Sequence, residues 1–328
     1  MIFPDVRMRR TRAHAWSRSL VRETVLLAED LIWPVFIHQH ASSSSIIAMD
    51  QVCRLGVDQL LKQAERLHRK GLQAIAVFPV IEPEHKDDMG SYALDDSNFL
   101  FSAISKIKQH LPTLGVIADV ALDPYTTHGH DGVLAADGSV DNDRTCQILA
   151  KQAVKLLQAG ADVVAPSDMQ DGRVRVIREH LESLSMHYGL ILSYSAKYAS
   201  AFYGPFRQAV GSAGSLAGKS KDHYQMDFHN IKEAYIETQM DVSEGADWVM
   251  VKPAMAYMDI ICRLSASINV PIMAYQVSGE YQMLMKLADG NEDQVRALFY
   301  ETLVGIKRSG ASAIFTYAAP VMVDFLSS

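Results

Sequence analysis

Eight short apolar segments recur along the chain, and they limit its possible folds more than any other feature of the sequence. Each has the length and β-rich composition of a strand that is buried on both faces, as in parallel sheets. They span residues 31–37, 72–80, 114–122, 161–166, 190–197, 246–252, 271–277 and 311–317. Residues between them recur at helical spacing, as Leu60, Leu61, Ala64 and Leu67 do. Eight strand–helix units predict an α/β fold, a closed (β/α)8 TIM barrel, with an open doubly wound sheet as the alternative.

Three of the predicted helices end with the same local pattern. Gly160, Gly245 and Gly310 each stand where a helix must turn left-handed before the next strand begins. The spacing between them is irregular, so they indicate repeated αβ units rather than a solenoid.

The charge and the hydropathy of the chain argue against nucleic-acid binding and against membrane insertion. The net charge is −7, from 31 basic and 38 acidic residues, and no apolar run is long enough to cross a membrane. The chain begins without the apolar stretch of a signal peptide, and its three cysteines lack CxxC spacing. We therefore expect a cytoplasmic protein without disulfides or structural zinc. The basic residues Arg7, Arg9, Arg10 and Arg12 predict an N-terminal arm docked on another subunit or on the barrel, with anion binding as the alternative. We assign the arm to residues 1–22 and the barrel to residues 23–328.

Two of the predicted strands end in a lysine, Lys197 and Lys252. The carboxyl ends of barrel strands are where enzymes of this fold place their chemistry. A lysine amine can form a Schiff base with a carbonyl compound, and each ammonium lowers the pKa of the other. Two such lysines therefore predict amine catalysis on a carbonyl substrate.

Other polar residues follow the ends of the predicted strands. They are Asp119, Ser167, Asp168, Ser278, Glu280 and Tyr317. Residues capable of acid, base or nucleophilic chemistry thus recur at one end of the barrel. Each could instead serve as a helix cap or hydrogen-bonding residue, and for Asp168 the two interpretations are equally open.

The segment after the third predicted strand contains three carboxylates and two histidines. These are Asp119, Asp123, Asp131, His128 and His130. They predict either a metal loop or an acid–base loop that holds no ion. An ion bound by aspartates without cysteine would be a hard cation such as Mg2+.

A polar, glycine-containing stretch over residues 209–222 predicts a lid. Arg207 precedes it, and Lys219 and Lys221 lie near its far end. A guanidinium and an ammonium together suit a substrate carboxylate.

These segments resemble the porphobilinogen synthase family, also called 5-aminolevulinate dehydratase. The matching motifs are Ala165-Pro166-Ser167-Asp168-Met169, Ser193-Tyr194-Ser195-Ala196-Lys197-Tyr198-Ala199-Ser200, Tyr203-Gly204-Pro205-Phe206-Arg207, Tyr224-Gln225-Met226, Val251-Lys252-Pro253 and Tyr275-Gln276-Val277-Ser278-Gly279-Glu280-Tyr281. The likeness covers nearly the whole chain. It implies a barrel with an N-terminal arm, a homo-octamer, and condensation of two 5-aminolevulinate molecules to porphobilinogen in tetrapyrrole (haem) biosynthesis.

The resemblance also implies roles for single residues. Lys252 matches the Schiff-base lysine for the substrate that supplies the propionate side, and Lys197 matches the lysine of the second substrate site. Ser278 and Tyr317 match the residues that hold the first substrate's carboxylate. Arg207, Gln225 and one lid lysine match those for the second, with Lys221 preferred and Lys219 in reserve. Asp119, Asp123 and Asp131 are candidates for the final base, and Ser167 is a further catalytic candidate.

The metal requirement is where the chain departs from zinc-dependent members of that family. Their three loop cysteines are replaced by Ala121, Asp123 and Asp131. We therefore expect no active-site zinc, and the loop resembles the aspartate-rich variant associated with magnesium. Glu237 matches the family's separate, allosteric and activating Mg2+ site, although by itself it reads as a solvated helix residue.

Three other functions remain possible from the residues alone. A class I aldolase would need one Schiff-base lysine, and a metal-dependent hydrolase would use His128 and His130 and give the lysines no task. A catalytically silent barrel would most simply have lost a lysine, and both are present.

Overall fold

The centre of the molecule is a closed ring of parallel strands. The computed structural model describes residues 2–210 and 220–327, except the side chains of Arg207 and Gln208. Its strands are β1 (Leu31–Ile37), β2 (Ser44–Ser45), β3 (Cys53–Leu55), β4 (Ala74–Pro79), β5 (Gly115–Val120), β6 (Val163–Pro166), β7 (Leu190–Lys197), β8 (Trp248–Lys252), β9 (Ile272–Gln276) and β10 (Ala313–Thr316). β1 and β4–β10 pair in chain order, and β10 returns to β1 through Leu31↔Ile314 and Ile32↔Phe315. The closure confirms the predicted TIM barrel, and the alternative prediction of an open doubly wound sheet is wrong.

The eight predicted segments correspond to the eight barrel strands. β1 and β7 have the predicted bounds, and the other six strands are shorter by one or two residues at one or both ends. Their residues are almost all buried, because helices cover the outside and side chains fill the inside. The sequence does not indicate β2 and β3, which pair antiparallel and extend the sheet beside the end of β1.

The helices in the described ranges are α1 (Arg9–Arg12), α2 (Ala15–Leu20), α3 (Val57–His68), α4 (Phe99–His110), α5 (Asn142–Gln158), α6 (Arg173–Ser183), α7 (Gly204–Ala209), α8 (Lys232–Glu244), α9 (Met258–Ser265), α10 (Ser278–Ala288), α11 (Glu292–Arg308) and α12 (Ala319–Leu326). All of them except α1, α2 and α7 surround the ring of strands. In α3, the residues at helical spacing are the ones that are buried. None of the helices in the described ranges is long and apolar enough to cross a membrane.

The three predicted glycine turns have the left-handed backbone that the sequence indicates. The φ angles of Gly160, Gly245 and Gly310 are 109°, 107° and 114°. At Gly310 the neighbouring packing also excludes a side chain, since a Cβ would lie 2.4 Å from Ser265. These turns direct each following strand back into the ring, which brings all the strand carboxyl ends to one face.

The first residues of the chain do not join the barrel core. No residue from 2 to 22 is buried, and Leu26 is the first described residue that is. Ile2, Phe3, Trp16 and Leu20 each expose at least two thirds of their surface. Large apolar side chains in contact with solvent at this density are typical of a surface that meets another molecule.

Candidate active site

The two predicted lysines lie side by side at the carboxyl ends of adjacent strands. Lys197 ends β7 and Lys252 ends β8, and they are direct partners in the strand register. Each exposes only 6% of its surface. Both line two neighbouring cavities at this face of the barrel. The tertiary structure therefore brings together the two amines on which the sequence analysis depends.

Aromatic rings surround the amine of Lys252. Its Nζ lies 4.5 Å from the ring centre of Tyr275, 5.0 Å from Tyr194, 5.2 Å from Phe206 and 5.4 Å from Tyr203. Tyr194 and Tyr275 come from β7 and β9, whereas Tyr203 and Phe206 come from the segment that follows β7. The sequence analysis did not identify this aromatic wall. All four residues do lie in the motifs that carry the family resemblance.

This setting favours a neutral Lys252. Burial, and then the nearby charge of Lys197, lower the pKa of Lys252 from 10.5 to about 7. The carboxylates of Asp119, Asp123 and Asp131 act in the opposite direction without cancelling this effect. An ordinary lysine has roughly one neutral amine in a thousand at pH 7.5. A substantial fraction of Lys252 is thus the neutral, nucleophilic amine near neutral pH, in the direction that the sequence analysis expects.

Asp119 is a carboxyl group that can exchange a proton near neutrality. It lies on β5, lines a cavity with both lysines, and is 9% exposed. Burial and the charge of Asp123 raise its pKa to about 7, although Lys197 and Lys252 oppose the shift. Its Oδ1 has no hydrogen-bond partner among the described residues. A group with this pKa beside two amines is suited to general acid–base work.

Asp123 and Asp131 are held differently, because both contact Lys221. The Lys221 Nζ donates to Asp131 Oδ2 at 2.8 Å and to Asp123 Oδ2 at 3.1 Å. Burial opposes ionisation of Asp131, but Lys221 and Lys197 outweigh it and lower the pKa of Asp131 to about 2. Burial and the charge of Asp131 raise the pKa of Asp123. The three candidate aspartates, which the sequence cannot rank, therefore differ in ionisation.

Ser167 and Gln225 complete the lining of the two cavities. The carbonyl oxygen of Ser167 accepts a hydrogen bond from the amine of Lys197, and Ser167 lines one cavity with both lysines. Gln225 lines the other cavity together with Lys221. Both residues thus line cavities that also contain Lys197 and Lys252.

Ser278 and Tyr317 do not line either cavity in the described part of the protein. The Ser278 hydroxyl accepts from the backbone N–H of Phe206 at 2.9 Å and donates to the carbonyl oxygen of Phe202 at 3.3 Å. The Tyr317 hydroxyl is 2.9 Å from that of Tyr275, behind the aromatic wall. Both predicted carboxylate ligands are thus engaged with protein groups.

Two of the predicted cations cannot be placed. Lys219 lies outside the described residues, and so does the side chain of Arg207, although its backbone belongs to α7.

The histidines of the loop after β5 pack against one another and against Tyr224. His130 Nδ1 lies 3.4 Å from the Tyr224 hydroxyl, and burial with the charge of His128 lowers the pKa of His130 to about 4. Residues 2–210 and 220–327 contain no cluster of three or more histidines, cysteines or carboxylates that could hold a metal ion.

A buried ion pair supports the strand that carries Lys197, and the sequence analysis did not identify it. Arg173, at the start of α6, donates to both carboxylate oxygens of Asp241 on α8 at 3.3 Å. It also donates to the Ser193 hydroxyl on β7 at 2.9 Å. Asp168 lies 3.7 Å from the Arg173 guanidinium and accepts from the N–H of Gln170 at 2.8 Å. One oxygen of Asp168 is thus hydrogen-bonded locally, and its Oδ2 has no hydrogen-bond partner among the described residues.

Glu237 lies on α8, is half-buried and does not line either cavity. Burial raises its pKa; Arg173 opposes this, whereas the carboxylates of Asp241, Asp171 and Glu233 add to it.

Comparison with known proteins gives a consistent result. The family model for delta-aminolevulinic acid dehydratase matches residues 5–325. The chain is 47% identical over 98% of its length to the delta-aminolevulinic acid dehydratase of Bradyrhizobium diazoefficiens, covering 91% of that protein. It is 46% identical to that of Methanothermus sociabilis, over 99% of both chains. A crystal structure of the enzyme from Toxoplasma gondii, in complex with its reaction product porphobilinogen, is 40% identical, with a TM-score of 0.95 over 98% of this chain and 91% of that one.

The charge of Lys197 has a measurable effect on Lys252. We expect Lys197→Met to raise the pKa of Lys252 by about one unit, because it removes a neighbouring positive charge. Lys197→Arg keeps that charge and should leave the pKa near its original value. The rate of Lys252 acetylation by acetic anhydride, followed by peptide mass spectrometry from pH 5 to 10, measures the midpoint. An equal midpoint in both variants would contradict a contribution from the charge of Lys197.

Proposed function

The chain belongs to the delta-aminolevulinic acid dehydratase family, and we propose that it condenses two molecules of 5-aminolevulinate to porphobilinogen with loss of two waters. This is the activity of a lyase, a hydro-lyase of tetrapyrrole biosynthesis. The observation that carries the assignment is the pair of buried amines at the carboxyl ends of two adjacent strands, one with a pKa of about 7. An aldolase, a metal-dependent hydrolase or a silent barrel would leave at least one of these lysines without a task.

In the first step, the neutral amine of Lys252 attacks the ketone carbon of the substrate that supplies the propionate side. Loss of water from the carbinolamine gives a protonated Schiff base. The iminium withdraws electrons more strongly than the ketone, so the neighbouring carbon loses its proton more easily. The aromatic wall excludes water from this position and strengthens each electrostatic interaction there.

Lys197 forms the Schiff base with the second substrate. Its amine contacts the Ser167 carbonyl oxygen, which orients it toward the same cavity as Lys252. Two amines at adjacent strand ends hold two ketone carbons close together, as the bond between the two molecules requires.

Asp119 is the base for the proton transfers, including the final aromatising proton loss. Its pKa of about 7 supports this choice over Asp131, whose pKa of about 2 makes it a weak base. Asp123 and Asp131 act instead by holding Lys221.

The substrate carboxylates bind at two places. Ser278 and Tyr317 receive the first, after Ser278 releases the N–H of Phe206. Arg207, Lys221 and Gln225 receive the second. An ammonium has three N–H donors, and two of those on Lys221 contact aspartates, so one is left for a carboxylate.

Mg2+ binds at Glu237 and activates the enzyme from outside the active site. Mg2+ retains several waters and is commonly held by one or two carboxylates, which fits the carboxylate-rich surroundings of Glu237. Glu237 would hold the ion, whose positive charge would offset the nearby carboxylates of Asp241, Asp171 and Glu233. No active-site Zn2+ is expected, because the loop after β5 has aspartates whose oxygens contact Lys221.

The enzyme acts in the cytoplasm as a homo-octamer whose N-terminal arms contact neighbouring subunits. The exposed apolar residues of positions 2–22 support an arm that is buried only in an assembly. The three free cysteines support a reducing compartment.

Substrate-dependent trapping tests the two-lysine assignment. With 5-aminolevulinate and borohydride, we expect adducts on both Lys252 and Lys197, and Lys252→Met should leave only the second. Either lysine-to-Met change should lower porphobilinogen formation by at least about a thousandfold, since it removes the nucleophile. Lys106→Met, which alters an exposed lysine paired with Asp58, serves as the control and should keep its turnover. Trapping on one lysine only would instead support an aldolase-type mechanism.

The metal assignment predicts a specific titration. Chelator-treated protein should be stimulated by Mg2+ and not by Zn2+. Glu237→Ala should weaken the stimulation without abolishing turnover, because Glu237 lies outside the cavities. Glu301→Ala, an exposed glutamate on α11, is the matched control. Identical Mg2+ titrations of the Glu237 variant and the parent would count against this site.

The proposed role of the N-terminal arm predicts that the assembly becomes smaller when the arm is removed. Deleting residues 1–22 should lower the assembly state, because it removes the exposed apolar residues proposed to bind neighbouring subunits. Light scattering measures the molar mass, and an unchanged octamer would refute the role of the arm.

A further inference from the structure

The first turn of α10 contains a buried carboxylate with an unusual set of partners. Glu280 exposes 1% of its surface, and the groups that favour its ionised form in the described structure are backbone N–H groups rather than cationic side chains. Its Oε2 accepts from the N–H of Val277 at 2.8 Å, as in an ordinary helix cap. Its Oε1 accepts from the N–H of Met255 at 2.6 Å, and Oε2 lies 3.4 Å from the N–H of Ala254.

Burial disfavours the ionised form of Glu280, and the hydrogen bonds from the backbone offset part of this cost. Burial raises the pKa of Glu280 to about 7, and only backbone N–H groups act in the opposite direction. A helix cap alone would need one acceptor, for Val277. The second oxygen, Oε1, is not needed for the helix cap and instead accepts from the backbone of Met255.

That segment is the turn that immediately follows Lys252. Ala254 and Met255 are two and three residues beyond the lysine, where the chain leaves β8. The two hydrogen bonds to Glu280 hold this turn against the start of α10. The carboxylate thus limits how far the end of β8 can move relative to β9 and α10.

The two preceding residues of α10 contact the segment that carries part of the aromatic wall around Lys252. Ser278 bonds to the backbone of Phe206 and of Phe202, and the Phe206 ring is 5.2 Å from Lys252 Nζ. Gly279 allows the close packing, since a Cβ there would lie 2.6 Å from the carbonyl oxygen of Phe202. Three consecutive residues therefore connect the turn beyond Lys252 to part of its aromatic wall.

We propose that Glu280 is a positioning residue for Lys252, which holds the turn after β8 so that the amine points at the substrate ketone. The proposal rests on the proposed function in one respect, that Lys252 forms the Schiff base. Glu280 touches neither substrate nor amine and acts through the backbone of Ala254 and Met255. None of the Glu280 hydrogen bonds is made to β7, the strand that carries Lys197.

The test compares the two lysines within one variant. Glu280→Gln keeps the side-chain shape but replaces one acceptor oxygen by an N–H2 group, which faces a backbone N–H. We expect borohydride trapping of 5-aminolevulinate on Lys252 to slow by roughly 10- to 100-fold, because small displacements of a reacting group have effects of this size. Trapping on Lys197 should change less than about twofold, on the same principle. kcat should fall in parallel with trapping on Lys252.

Asn291→Ala is the control for a general loss of stability. Asn291 caps α11 by accepting from the N–H groups of Asp293 and Gln294, both on its own helix. This variant should lower Tm and leave the ratio of the two trapping rates unchanged. Glu280→Asp, which keeps the charge on a shorter side chain, provides a second variant if the Gln protein does not fold, and it should also slow Lys252 selectively.

Two results would overturn the proposal: equal slowing at both lysines, or a lower Tm with an unchanged ratio of trapping rates. Failure of the parent protein to trap substrate on Lys252 would instead refute the proposed function. In that case the positioning role of Glu280 can still be tested by acetylation with acetic anhydride, which measures the reactivity of both lysines without substrate. A Glu280→Gln protein with the parent's relative acetylation rates of Lys252 and Lys197 would refute it.

Discussion

Removing the amine of Lys252 from water is the constraint on which the rest of the site depends. A pKa lowered from 10.5 to about 7 corresponds to a penalty of roughly 5 kcal/mol on the ammonium form. The barrel imposes this penalty, because Tyr194 and Tyr275 project from β7 and β9 into its closed interior and Tyr203 and Phe206 cover the open side. The family's reaction needs a nucleophilic amine at neutral pH, and the apolar surroundings provide it.

The ionisation of the aspartates near Lys252 depends on their distance from other charged groups, because the residue type is the same. Asp119 and Asp131 are both buried, yet their pKa values shift in opposite directions. Lys221 forms an ion pair with Asp131 at 2.8 Å and lowers its pKa, whereas the charge of Asp123 adds to burial in raising the pKa of Asp119. Ionised Asp131 can stabilise a cation, whereas Asp119 can accept or release a proton.

Buried polar contacts then hold the elements that carry these groups. The Arg173–Asp241 pair connects α6 and α8 to Ser193 on β7, four residues before Lys197. Losing one member of such a pair typically costs about 3–5 kcal/mol, because the other charge stays buried without a partner. Polar contacts of this kind contribute less to net stability than apolar packing does, but they allow few alternative positions for the strand.

The sequence by itself determined the barrel, the left-handed glycine turns and the two lysines at strand ends. These features follow from local periodicity and backbone preference, which neighbouring residues along the chain decide. It did not determine which aspartate titrates near neutrality, nor that Lys221 contacts Asp123 and Asp131 from 90 or more residues away. It also did not predict that Ser278 holds the backbone of Phe206. Only the tertiary structure decided these, because pKa values and hydrogen bonds depend on distances and burial between elements that are far apart in the chain.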